Sequence, residues 1–162
     1  MARHRWPAAA PPDELGAVAH GPVVLGRDAG VVVGLRCVFA HPSGLHLPLV
    51  TIAVGVHAEA AMRQTETLRP RPGRVSDPPG WSWLELHGEV NGRTGELLPF
   101  ETTSSASVDR YVQESAYWLG ELPADGVLRL TVAWPRVGLR EVETAVALDR
   151  LPEAAARAIP LS

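Results

Sequence analysis

The sequence contains no lysine, and all 15 of its basic residues are arginine. Without lysine, the chain cannot use a lysine-dependent phosphate-binding loop, a Schiff base or a kinase-type mechanism. Such a skew, with a single asparagine beside it, is the ordinary result of GC-rich codon usage and requires no arginine-specific function. The absence therefore excludes several classes of enzyme and favours none.

Cysteine is nearly absent as well, since Cys37 is the only one and cannot form an internal disulfide. This is typical of a protein from a reducing compartment. No run approaches the roughly 18 apolar residues of a membrane-spanning helix, and the opening residues lack the apolar segment of a signal peptide. We therefore expect a cytoplasmic protein that does not act at a membrane.

Positive charge is not in excess either, because 15 basic residues stand against 18 acidic ones and the net charge is -3. Nucleic-acid binding depends on clustered positive charge, so we do not expect nucleic acid as a partner. The catalytic motifs G-x-S-x-G and H-E-x-x-H are missing from the sequence. Composition and motifs thus predict no cofactor and give no sign of an enzyme.

What the sequence does contain is 15 glycines and 15 prolines that divide it into short apolar runs. Runs rich in β-branched residues and separated by turns are typical of strands. The alternation of apolar and polar residues is clearest over residues 126–134 and 139–148. About seven or eight such runs predict an all-β protein, an antiparallel two-sheet sandwich of immunoglobulin-like type. A small closed barrel is the alternative.

The length of 162 residues predicts one domain. Residues 1–20 contain three prolines among alanines, so we expect a flexible arm there, followed by a single sandwich domain over residues 21–162. Residues 58–64 could form one or two helical turns, but the prolines that follow make a long ordered loop the expectation for residues 58–80. Residues 102–107 resemble a turn, and residues 151–159 have the composition of a short C-terminal helix.

The apolar run over residues 45–57 gives two more expectations. Val50, Ile52, Val54 and Val56 alternate with smaller residues, so the bulky side chains are predicted to face the core. Pro48 cannot donate a main-chain hydrogen bond and is therefore expected at an edge position or a bulge.

Candidate chemistry concentrates in the strand predicted over residues 81–90. Alternation places its tryptophans and its charged residues on one face. The candidate catalytic set is Glu85, His87 and Glu89 of this face, with His57. Histidine and carboxylates together can form an acid–base pair or a metal site. A solvated polar face explains the same pattern, and we predict no bound metal.

Tryptophans and arginines around that strand are candidates for binding. Trp81 and Trp83 are expected about 7 Å apart, where they could contact a sugar ring, a proline-rich peptide or another subunit. Arg69, Arg71 and Arg74 make the preceding loop locally basic, which suits an acidic partner surface. Packing and solvation are the simpler explanations for both sets.

The C-terminal third has a distinctive order of residues. A strand is followed by Trp134 and Pro135, then by Gly138, Leu139 and Glu141, a second strand and the alanine-rich residues 154–158. This order resembles a group of small uncharacterised actinobacterial proteins of β-sandwich type, with a W-P-x-x-G-[LI]-x-E corner and a closing AAARA helix. The resemblance implies a tight corner between two strands rather than a reacting group. The chain departs from the group at Ser162, where an aromatic residue is expected.

The leading hypothesis is a non-enzymatic binding or structural accessory module of a larger protein assembly. It would contact another protein, or a second copy of itself, through an exposed sheet face or the arginine-rich loop. One alternative is a small hydrolase or lyase that uses the His/Glu cluster. The other is a module that binds a carbohydrate or another small ligand.

Overall fold

The computed structural model describes residues 4–67 and 82–162, and these residues form thirteen strands, two α-helices and one 3₁₀ turn. The strands are β1 (Glu14–Leu15), β2 (Ala17–His20), β3 (Val23–Asp28), β4 (Val31–Leu35), β5 (Val38–His41), β6 (Gly44–Val54), β7 (Glu85–Val90), β8 (Arg93–Leu97), β9 (Glu101–Ser107), β10 (Arg110–Leu119), β11 (Val127–Trp134), β12 (Leu139–Ala147) and β13 (Ile159–Pro160). The helices are α1 (Val56–Thr67) and α2 (Leu151–Ala156), and the 3₁₀ turn is Pro135–Val137.

Two antiparallel sheets make up the body of the fold. The larger sheet has the order β2-β5-β6-β10-β9, and β4 pairs with β6 and carries β3 on its other side. The smaller sheet has the order β12-β11-β7-β8. A short pair, β1 with β13, lies outside both. The sheets are not closed into a barrel, so the predicted all-β sandwich with a short C-terminal helix is confirmed.

The hydrophobic core lies between the two sheets. Leu45, Leu47 and Leu49 of β6 point into it, as do Leu128 and Leu130 of β11, and none of the five is more than 1% exposed. The residues between them on each strand are more exposed. The alternation predicted for β11 is therefore confirmed, and burial of these side chains supplies much of the stability of the fold.

The face that β6 buries differs from the prediction. Thr51 and Ala53 are buried, whereas Val50 and Ile52 are only half-buried. Helix α1 contacts β6 directly after the strand ends, and its own Ala58 is fully buried. The small side chains thus lie on the inner side because a helix packs there, and the bulky ones lie on the outer side of the sheet.

Pro48 lies at the point on β6 where pairing with β5 ends and pairing with β4 begins. On that side of β6, β5 pairs with residues 44–46 and β4 pairs with residues 49–53. The main-chain N–H of Arg36, between β4 and β5, donates to Pro48 O at 2.9 Å. The missing N–H of proline therefore faces a break in the neighbouring strands, inside the sheet rather than at its edge.

Helix α1 includes residues 58–67, where the sequence favours at most one or two helical turns within a long loop. Its alanines favour a helix, and the prolines that argued for a loop all come later in the sequence. The remainder of the expected loop, residues 68–80, lies outside the described residues. Neither described helix is long and apolar enough to cross a lipid bilayer.

Residues 101–107 form β9, although their serines and threonines are typical of a turn. Each residue of β9 pairs in register with β10, from Ser107 opposite Arg110 to Glu101 opposite Ala116. Tertiary pairing has therefore overridden local preference, as is common in sheets.

The N-terminal segment enters the fold in two places, so the expectation of an arm outside the core is wrong for these residues. Trp6 is 5% exposed and its indole N–H donates to Gly88 O at 3.0 Å. Further along, β2 pairs with β5 and extends the larger sheet. The large apolar ring gains more from burial than the alanines and prolines after it, which are mostly exposed.

Candidate functional site

The outer side of the smaller sheet carries the three β7 residues of the predicted catalytic set. On β7, Glu85 is exposed and His87 and Glu89 are half-buried, whereas Leu86 and Val90 are buried. Because side chains alternate along a strand, the three polar residues share one face, as predicted. The strand thus displays a polar strip above an apolar inner side.

A shallow groove of about 510 Å³ lies beside His87 on this face. It is lined by Arg5, Trp83, Glu85, His87 and Glu96. His87 Nε2 lies 4.0 Å from Glu85 Oε2, and Arg5 Nε lies 3.3 Å from Glu96 Oε2. The side chain of Arg5 is 61% exposed and that of Glu85 is 49% exposed, so water screens both charges. The groove can bind a polar group, but it does not enclose one.

His57 is not brought to this groove. It lies in the first turn of α1, where its Nδ1 is 2.8 Å from Val137 O. Since a carbonyl can only accept, Nδ1 carries the proton and donates it. The ring also packs against Gly30 and Gly138, two glycines with positive φ whose added Cβ atoms would stand 2.2 and 2.7 Å from it. His57 therefore holds three segments together and is not a neighbour of His87.

Of the predicted binding residues, only Trp83 is among those that the structure describes. Trp83 is half-buried and lines the groove beside His87. Trp81, Arg69, Arg71 and Arg74 lie outside the described residues. The ladder of two tryptophans and the basic loop therefore stay predictions from the sequence.

Neither metal binding nor thiol chemistry finds support in the residues that the structure describes. No group of three or more His, Cys, Asp or Glu residues among residues 4–67 and 82–162 is arranged to hold a metal ion. Burial raises the pKa of the Cys37 thiol above its usual value, and the charge of Arg36 opposes this less strongly. A thiol in this environment stays protonated near neutral pH and is a poor nucleophile.

The outer side of the larger sheet shows a surface that sequence reasoning missed. Val32, Ile52 and Val112 lie opposite one another on β4, β6 and β10, and all three are half-buried. In the next row, Val50 lies beside Gly34, and Val24 of β3 is 51% exposed. We call these five aliphatic residues the open face; they are Val24, Val32, Val50, Ile52 and Val112.

Two shallow depressions lie on and beside the open face. One, of about 380 Å³, is lined mainly by apolar residues around Gly34, which has no side chain to fill it. The other, of about 270 Å³, lies around Pro48 and Ala116. Arg36 lines both depressions and Glu114 lines the second; the two side chains form an ion pair of 2.7 Å, and each is about half exposed. An apolar centre bordered by charged groups is the usual arrangement of a protein interface.

Aromatic rings border the open face beyond Pro48. The ring of His46 lies 5.4 Å from that of Phe39 and 5.6 Å from that of Phe100. Burial lowers the pKa of His46 from its ordinary value, and the charge of nearby His41 lowers it further. The neutral imidazole is therefore favoured here, which keeps this end of the surface weakly polar.

A signal for the open face was present in the sequence. Residues 45–54 are apolar at both odd and even positions, which is typical of strands that contact something on both sides. The alternation of side-chain size along β6 assigns one face to the core and gives no role to the other. Comparison with known proteins adds no further signal, because no protein-family model, no curated protein and no solved structure matches the chain.

Proposed function

We propose that this protein is a non-enzymatic module that binds another protein through its open face, as an accessory or structural component of an assembly. The observation that carries the proposal is the row of Val32, Ile52 and Val112. These β-branched side chains keep contact with solvent on three adjacent strands of one sheet. A contiguous apolar surface of this kind on a folded domain marks an interaction site more often than chance exposure does.

The borders of the open face support a protein partner over a small molecule. The depressions are shallow, and Arg36 and Glu114 present opposite charges side by side. A partner would place apolar side chains against Val50 and Ile52 and direct polar groups at the ion pair. Because the two charges balance, recognition depends on shape and apolar contact rather than on a strongly charged partner.

The test compares two valines that differ in position. Val112→Arg places a charge within the open face, on its β10 side, whereas Val108→Arg changes a turn residue that is 94% exposed. Each protein is immobilised, and the proteins it retains from cell extract are compared by mass spectrometry. We expect a set of proteins that wild type and Val108→Arg retain and that Val112→Arg loses by at least about tenfold, the effect of about 1.4 kcal/mol.

Thermal unfolding followed by circular dichroism shows whether both variants fold, which we expect because Val112 lies on the outer side of the sheet and Val108 in an exposed turn. Equal retention by the two folded variants would contradict the proposal. So would the absence of any retained protein that depends on Val112. A gain in stability of wild type on addition of a retained protein, absent for Val112→Arg, would show that the binding is direct.

An acid–base function for the polar groove has less support. Glu85 and His87 are close, but His57 lies elsewhere and the ion pair of Arg5 with Glu96 occupies the other side of the groove. General acid–base catalysis needs a group held within hydrogen-bond distance of a bound substrate. A carbohydrate site has similar support, since of its two proposed tryptophans only Trp83 is among the described residues.

A further inference from the structure

Strand β9 forms an edge of the larger sheet. It pairs with β10, and no other strand of the described residues pairs with its second side. All seven of its residues are exposed. An unpaired edge of this length presents a row of free main-chain donors and acceptors.

The sequence of β9 lacks the features that usually protect such an edge. Proteins block edge strands with proline, lysine, bulges or inward charges. β9 contains no proline and no basic residue, and its register with β10 has no shift over seven residue pairs. Apart from Glu101 and Ala106, every residue is serine or threonine. The edge is therefore regular, polar and almost uncharged.

Two hydrogen bonds fix the phase of the main chain in the larger sheet. Val54 N–H donates to Gly30 O, and Pro48 O accepts from Arg36 N–H. Even-numbered residues of β6 thus direct their main-chain groups towards β4 and β5, so odd-numbered residues direct theirs towards β10. The bond from Gly55 N–H to Asp109 O fits this phase, because residue 109 precedes β10 at an odd position.

The same alternation extends through β10 to β9. The odd-numbered residues of β10 lie opposite odd-numbered residues of β6 and form hydrogen bonds with them. The even-numbered residues of β10 therefore form hydrogen bonds with β9, and they lie opposite odd-numbered residues of that strand. The main-chain N–H and C=O groups of Thr102, Ser104 and Ala106 consequently point away from the sheet. These three residues are spaced symmetrically about Ser104.

This spacing makes the edge complementary to itself. When β9 of a second copy lies antiparallel with the two Ser104 residues opposite each other, Thr102 of each copy lies opposite Ala106 of the other. Each of the three residues in each copy then donates one N–H and accepts one, which gives six main-chain hydrogen bonds. A two-fold axis relates the two strands, as in most homodimers.

The side chains agree with this pairing. Glu101, the only charged residue of β9, lies opposite Ser107 of the second copy, and Thr103 lies opposite Ser105. The two Glu101 residues are then about 20 Å apart, a distance at which solvent and salt screen their repulsion. Pairs of serine and threonine across strands are favourable in antiparallel sheets.

We propose that two copies of this protein associate through β9, in antiparallel register centred on Ser104, and so join their larger sheets. The occupant of the edge is a second copy of this chain. The proposal is independent of the partner assigned to the open face, because it concerns the edge of the sheet and not its outer side.

Proline scanning tests the pairing. Ala106→Pro removes an outward N–H and places the ring where the second strand would lie, while the hydrogen bonds to β10 remain. Ser105→Pro is the control of opposite phase, because it removes an N–H directed at β10. Sedimentation velocity across a wide range of protein concentration measures association, and thermal unfolding measures the fold. We expect wild type to dimerise, Ala106→Pro to dimerise at least about tenfold more weakly at unchanged melting temperature, and Ser105→Pro to melt at a lower temperature.

Cross-linking provides a second measurement that does not depend on proline. In the proposed dimer, Ser104→Cys brings two thiols within disulfide distance, whereas Val108→Cys keeps them far apart. Under mild oxidation we expect a covalent dimer from Ser104→Cys at a much higher rate than from wild type or Val108→Cys. A protein that stays monomeric at every concentration would overturn the proposal, as would dimerisation abolished by Val112→Arg and not by Ala106→Pro.

Discussion

The outer sides of the two sheets have opposite character, although their inner sides are built alike. On the smaller sheet, Glu85, His87 and Glu89 follow one another along β7. On the larger sheet, the corresponding side carries Val32, Ile52 and Val112 across three strands. Both sheets bury leucines and valines between them. The inner pattern decides how the chain folds, and the outer pattern decides what each surface contacts, so the two can be altered separately.

The largest effect on stability should be seen when a substitution on the inner side of β7 is compared with one on its outer side. Leu86→Ala removes a fully buried side chain of β7 and should lower the free energy of unfolding by about 2–5 kcal/mol. Its neighbour His87→Ala, on the outer side, should change it by about 0.5 kcal/mol or less. Denaturation in urea measures both.

The same experiment extends to the larger sheet. Ile52→Ala should cost clearly less than Leu86→Ala, because Ile52 keeps contact with water. An equal cost for the two variants would show that Ile52 is covered in the free protein, and the contrast between the two outer sides would then fail.

An intermediate effect should distinguish the two histidines proposed for one site. Removing His57 leaves the Val137 carbonyl without its donor and empties the space between Gly30 and Gly138. His57→Ala should therefore destabilise the protein by about 1–3 kcal/mol, whereas His87→Ala should not. Gly30→Ala should destabilise it too, because a Cβ there meets the ring at a positive φ.

A double variant sharpens this prediction. If the clash with His57 is the main cost of Gly30→Ala, adding His57→Ala should recover part of the lost stability, so the two effects should not add. Strictly additive effects would contradict the packing of the ring against Gly30.

The smallest effect concerns pH at the aromatic border of the open face. Burial and His41 lower the pKa of folded His46 below the ordinary value of 6.5, so the unfolded chain binds the proton more tightly. Stability from this group is therefore present above pH 6.5 and is lost as the pH falls through and below that value. His46→Gln should reduce the slope of melting temperature against pH over this window. An unchanged slope would assign the pH dependence to other groups.

The sequence was most informative where one strong pattern dominated. The alternation of Leu128 and Leu130 with polar residues predicted β11, and the alternation around His87 predicted the shared face of β7. Both strands have one side that faces solvent and one that faces the core, and a pattern that alternates every second residue is unambiguous for such strands. The sandwich architecture followed from the number of such strands.

The sequence was least informative where distant contacts decided the structure. Trp6 is buried because it packs against Gly95 of β8, where an added Cβ would contact its ring, and because Gly88 O of β7 accepts a hydrogen bond from its indole N–H. The serines and threonines of β9 become a strand because β10 lies beside them. His57 does not line the groove beside His87, because α1 packs against the corner after β11 and the ring donates to Val137 O there. None of these contacts is encoded in a local pattern.

The strands on the two sides of β6 are synthesised at different times. β4 and β5 precede it in the chain, but β10 follows much later. A nascent chain that has emerged only as far as β6 therefore carries three apolar strands, and one side of β6 still lacks its hydrogen-bonding partner. Until β10 leaves the ribosome, these strands can pair with other nascent chains, and a chaperone that shields them would be most useful at that stage.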